Sequence, residues 1–88
     1  MIVYYSSRFE TAFRKLDPGV KENFLSALEL FLEEPNHPAL RNHALRGRFS
    51  NIRSLDVTDD YRALFHMKDV GSVLFIDIGT HGELYGKE

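Results

Sequence analysis

The apolar residues of this chain change their spacing part-way along, from helical up to about Leu32 to alternating from about Phe49 onward. Side chains return to one side of a helix every three to four residues and to one side of a strand every second residue. The first part of the chain therefore has to supply helices and the second a sheet, and at 88 residues both must share one core. That combination predicts an α+β fold, with helices packed on one face of a twisted sheet and residues 1–88 forming a single domain.

The elements can be placed within this frame. Ile2 to Tyr5 is a β-branched and aromatic run that predicts a first strand. Ser6 and Ser7 are placed to cap a helix in which Phe9, Phe13 and Leu16 recur at helical spacing. Asp17 and Pro18 suit the N-cap and first position of a second helix, where the missing proline N–H would have had no intrahelical partner. Val20, Phe24, Leu28, Phe31 and Leu32 predict its buried stripe. The two helices are expected to form a hairpin, and Pro35 and Pro38 to stop the second and open a loop to about His43. Phe49 to Val57 then reads as a strand, Thr58-Asp59-Asp60 as a turn, and Tyr61 to Lys68 as the partner strand. In that partner Tyr61, Ala63, Phe65 and Met67 share one face, and Arg62, Leu64, His66 and Lys68 the other. Ser72 to Ile78 completes a three-stranded meander, and its nearly continuous apolar character suits a central place.

Composition removes some functional classes. There is no cysteine, which excludes disulfides, thiolate metal sites and cysteine nucleophiles. A net charge of -2 argues against holding nucleic acid by bulk electrostatics alone. The charge is unevenly spread, however. Arg41, Arg46, Arg48 and Arg53, with His43 among them, form a run without an acid, after an acidic stretch containing Glu29, Glu33 and Glu34. Such a run either offers phosphate contacts on one face or merely coats a solvated strand. The opening residues do not resemble a signal peptide and no apolar run could span a bilayer, so a cytoplasmic protein without a membrane partner is expected.

Past the last strand stands Gly79-Thr80-His81-Gly82-Glu83-Leu84-Tyr85. An imidazole and a phenol four residues apart at a strand end are poorly explained by core packing, although Gly-Thr is also ordinary turn chemistry. His43, Asp56, Asp60 and His81 have no recognised metal-ligand spacing, so neither a metal nor a cofactor is expected. His37 reads as a loop residue and His66 as a polar residue on a strand face.

Four elements in order, His43-Ala44-Leu45-Arg46-Gly47, Arg53-Ser54, Asp60-Tyr61-Arg62 and Gly79-Thr80-His81-Gly82-Glu83-Leu84-Tyr85, resemble the RelE superfamily of toxins from bacterial toxin–antitoxin pairs, most closely its YafQ-like branch. The β-α-α-β-β-β order read above is also that of the family. The resemblance implies a ribosome-dependent mRNA endoribonuclease that works without a metal, with the ribosome, mRNA and a cognate antitoxin as partners. It implies an active site of His81, Tyr85, His43 and Asp60, with Arg62 on the phosphate and Arg46 or Arg53 assisting. His81 and His43 suit a base and acid pair, Asp60 a base or an orienting group, and Tyr85 a stacking or donating group.

One position departs from the branch. Two residues after Arg53-Ser54, where another His is usual, stands Asp56, which removes a donor and adds negative charge beside an RNA phosphate. Asp56 either replaces the missing base or weakens the site. A gyrase-directed toxin of the same fold and a catalytically silent binding module remain as alternatives.

Overall fold

The computed structural model describes residues 1–47 and 51–86. The elements run β1 (Ile2–Tyr5), α1 (Ser7–Arg14), α2 (Pro18–Glu33), a 3-10 turn (Pro38–Leu40), β2 (His43–Ala44), β3 (Arg53–Asp56), β4 (Tyr61–Asp69), β5 (Ser72–Thr80) and α3 (His81–Tyr85). They build one five-stranded sheet in the order β1-β5-β4-β3-β2. The meander β3-β4-β5 is antiparallel, and β1 joins it parallel to β5 after the chain has crossed through both helices. β5 is thereby an interior strand, paired on both sides, as its apolar run predicts.

Local chemistry sets the element ends. Ser6 caps α1, its hydroxyl accepting from Phe9 N, while the same hydroxyl donates to Ile76 O at 2.9 Å and ties the helix start to β5. Asp17 stands at the N-cap of α2 and Pro18 in its first turn, although the Asp17 side chain makes no capping bond. Between β4 and β5, Asp69 accepts from Gly71 N at 2.8 Å and Ser72 Oγ at 2.9 Å. These two bonds hold its carboxyl below the usual carboxylate range.

The core lies between the helices and one face of the sheet. Phe9, Phe24, Phe31, Leu40, Leu55, Ala63, Phe65, Val73, Phe75 and Ile78 are buried there. Phe75 is its hub, with ring centroids at 5.2 Å from Phe24, 5.6 Å from Phe65 and 5.9 Å from Phe9.

β5 carries a bulge. Phe65 faces Phe75 across the ladder, but the next residue, Leu64, faces Asp77, so Ile76 is an extra residue. Strict alternation from Phe75 would put Asp77 and Gly79, not Ile78, on the core positions. The bulge instead brings Ile78 into the core opposite Ala63, and sets Gly79 opposite Arg62.

Some expectations need correction. Leu32 is 43% exposed and Ala27 is buried in its place, because Leu32 lies about 100° round the helix from Phe31. α1 ends at Arg14, before Leu16. The loop expected to run to His43 contains a 3-10 turn and ends in the short strand β2, which pairs with β3 as His43 to Ser54 and Ala44 to Arg53. The expected strand start at Phe49 and Ser50 lies outside the described residues, as does Arg48, and β3 proper begins only at Arg53.

Candidate active site

The sheet register gathers the chemistry at one end of the sheet. β2 pairs with β3, β3 places Asp56 opposite Arg62, and β4 pairs with the end of β5 from which α3 springs. An open cleft of about 350 Å³ results, lined by Arg41, His43, Leu45, Arg62, His81 and Tyr85. A larger groove of about 630 Å³ lies between α1 and α3, but no imidazole lines it and its Arg8 and Asp77 are paired at 2.9 Å.

His81 opens α3, where the residue after a strand would otherwise be a loose turn. Thr80 forms a capping box, its hydroxyl accepting from Glu83 N at 3.2 Å and its N–H donating to Glu83 Oε1 at 2.8 Å. The helix then places His81 and Tyr85 one turn apart, their rings edge-to-face with centroids at 4.5 Å. Gly79 leaves room for this closure, since a Cβ there would sit 2.9 Å from Glu83 Oε1. Thr80→Ala is expected to speed amide exchange at Glu83 by about fivefold, the effect of roughly 1 kcal/mol of lost capping. Unchanged exchange in a hydrogen-exchange experiment would show that packing of Leu84, not the cap, holds α3.

His43 Nδ1 lies 2.7 Å from Arg41 O. A carbonyl only accepts, so Nδ1 donates to it, and the neutral form of this exposed ring keeps its lone pair on Nε2. Arg62 is anchored. Its Nη1 donates to the carbonyls of Thr58, Asp59 and Tyr61 at 2.9, 3.0 and 3.1 Å. Its Nε lies 3.0 Å from Asp56 Oδ1, an ion pair in which no N–H is aligned on that oxygen. The arginine expected to present a whole fork to phosphate thus spends one edge on the β3–β4 turn, and Nη2 remains for the cleft.

The other sequence candidates take different places. Asp56 does not line the cleft as a lone base, since its second oxygen lies 3.5 Å from Arg41 Nε. Asp60 is an exposed turn residue whose carbonyl accepts from His81 N at 3.3 Å, so it works on α3 through its backbone and its carboxylate is not part of the lining. Arg53 is turned to Asn42, with Nε donating to Oδ1 at 2.8 Å, and pins the loop before β2. Arg46 is exposed and outside the cleft. His37 caps the 3-10 turn by accepting from Ala39 N at 3.0 Å, and His66 Nδ1 bonds Asn51 O. Arg41 and Leu45 are in the lining without having been singled out as site residues; the basic run contained the signal for Arg41. Among the described residues no group of three or more His, Cys, Asp or Glu side chains could hold a metal ion, and no helix is long and apolar enough to cross a membrane.

No protein-family model matches the chain, and no curated protein sequence matches it. Solved structures do. YafQ from E. coli superposes with a TM-score of 0.81 at 19% identity, covering 96% of this chain and 97% of that one. A YoeB/ParE toxin from Agrobacterium tumefaciens gives 0.78 at 14% identity, covering 92% and 99%. The E. coli DinJ–YafQ toxin–antitoxin complex gives 0.71 at 22% identity, covering 96% of each chain. The chain has the fold of the RelE/YafQ-like toxins.

Proposed function

We propose that the chain is the toxin of a type II toxin–antitoxin module and cuts mRNA on the ribosome in the cytoplasm. The observation that carries this reading is the convergence of His43, Arg62, His81 and Tyr85, drawn from three separate motifs, on one open cleft. Attack of a ribose 2′-hydroxyl on the adjacent phosphorus needs a proton acceptor at that hydroxyl, donors on the non-bridging oxygens and a proton donor for the departing 5′-oxygen. His43 Nε2 takes the 2′-hydroxyl proton, the oxygen bonds to phosphorus, and the P–O5′ bond breaks with a proton delivered by His81. Arg62 Nη2 faces the phosphate, and Tyr85 supports the His81 ring and offers a surface for a base. The products are a 2′,3′-cyclic phosphate and a 5′-hydroxyl, and no metal is needed.

A net charge of -2 leaves little general attraction for RNA, so the ribosome supplies most of the binding and positioning, and purified RNA is a poor substrate. The partner that silences the toxin is an antitoxin, as in the complex of YafQ with DinJ. Induction of the chain in a bacterium, with 5′-hydroxyl ends mapped across translated messages, tests the reading. New ends inside reading frames support it. A well-expressed, folded protein that produces none would sink it and favour a gyrase-directed or catalytically silent member, neither of which needs the two imidazoles.

A further inference from the structure

We propose that Arg41 is a second ligand for the phosphodiester of single-stranded RNA, paired across the cleft with Arg62 and held in register by Asp56. The inference deepens the ribonuclease reading and uses its substrate class.

The backbone is the first observation. Arg41 has φ 46° and ψ 46°, in the left-handed region, where it ends the 3-10 turn with its N–H on Pro38 O at 3.2 Å. Glycine or asparagine suits such a position, because a Cβ crowds the following carbonyl. Packing does not offset that strain, since the Arg41 side chain is 68% exposed. An unfavourable backbone carrying an exposed side chain into a cleft is the pattern of a functional constraint.

The carboxylate is the second. Asp56 Oδ1 lies 3.0 Å from Arg62 Nε and Oδ2 lies 3.5 Å from Arg41 Nε, so one acid spans two guanidiniums. Both contacts involve the Nε edge. Among the described residues Arg62 Nη2 and both Nη atoms of Arg41 make no hydrogen bond, and each is a charged donor suited to a phosphate oxygen. Two guanidiniums less one carboxylate leave one positive charge, which matches the single negative charge that a phosphodiester spreads over two non-bridging oxygens. Arg62 is fixed by three carbonyls, whereas Arg41 has only its longer ion pair and is the half able to move onto the ligand.

Placement is the third, because both arginines line the cleft that holds His43 and His81.

The test is an NMR titration of the folded chain with a 2′-O-methyl RNA tetranucleotide, which cannot be cut because its attacking hydroxyl is blocked. Arg41→Gly and Arg41→Gln are compared with wild type, and with Arg14→Gln, an exposed arginine on α1 outside the cleft. Both Arg41 variants are expected to bind roughly three- to tenfold more weakly. The slope of log affinity against log salt should flatten by about 0.7, one phosphate contact on a single strand. Arg41→Gly should unfold at no lower temperature than wild type, since glycine accepts that backbone, so weakened binding cannot then be blamed on misfolding. Arg41 variants that bind like Arg14→Gln, or a wild type that fails to bind at millimolar tetranucleotide, would overturn the proposal. If Arg41-dependent binding is found while no cleavage occurs in cells, the assignment of Arg41 stands and the ribonuclease reading falls.

Discussion

Replacing His81 by Ala should lower the rate of message cleavage on translating ribosomes by about 10²- to 10⁴-fold, the usual share of a general acid. The magnitude follows from what departs. A 5′-alkoxide is a poor leaving group, and the imidazole that would protonate it is the one imidazole carried by α3. The fold should be nearly indifferent, because His81 is exposed and the cap is made by Thr80 and Glu83. A stability change within about 0.5 kcal/mol is expected, as for other surface substitutions. Counting 5′-hydroxyl ends per message in a reconstituted translation system, beside a thermal melt of each variant, separates the two effects. A decrease of less than tenfold in a folded variant would mean that His81 does not transfer the proton.

The second large effect is on folding. Phe75→Ala should destabilise the chain by about 3–5 kcal/mol, through lost burial and the cavity left among rings that cannot collapse inward. Phe75 is fully buried and packs on Phe9, Phe24, Phe31 and Phe65, so helices and sheet meet on this one side chain. Domains of this kind are stable by only about 5–15 kcal/mol, and the variant would be marginal at growth temperature. Leu32→Ala is the matched control, expected to cost well under 1 kcal/mol because Leu32 is 43% exposed. Urea denaturation of both would decide it. Equal losses would mean that the core is not centred on Phe75.

Periodicity was enough to read the layers of this fold. Phe24 and Phe31, Ala63 and Phe65, and the continuous run of β5 each announced a buried face, and Ser6 announced the start of α1. What escaped were features set by contacts between distant segments. Nothing in His43-Ala44 distinguishes two strand residues from loop, because β2 exists only through its pairing with β3. Asp60 and Arg53 have side chains of the right type for a site, yet the turn uses the backbone of one and Asn42 takes the guanidinium of the other. Arg41 is the converse case. Its left-handed backbone, exposed side chain and ion pair with Asp56 are visible only in three dimensions. The C-terminal motif was legible because its chemistry is local: a Thr and a Glu three apart close the cap, and His and Tyr four apart meet on one helical turn.

The extra residue in β5 makes that strand behave like a reading frame. Ile76 is the inserted position, and everything after it is interpreted by the fold in the shifted phase, with Ile78 inward and Gly79 beside Arg62. Excising Ile76 would heal the ladder and leave that phase unchanged, whereas straightening the strand at constant length would invert it, putting Asp77 among the phenylalanine rings and withdrawing Ile78 from them. His81 would leave the side where Arg62 and Asp56 wait, so core and cleft would be lost in one event. A single-residue change of length in the Asp69–Ser72 connection has no comparable reach, since both ends of the strand phase are set beyond it. Homologues of this chain should therefore vary in length at that hairpin while either keeping the count from Phe75 to His81 or losing one residue together with the bulge.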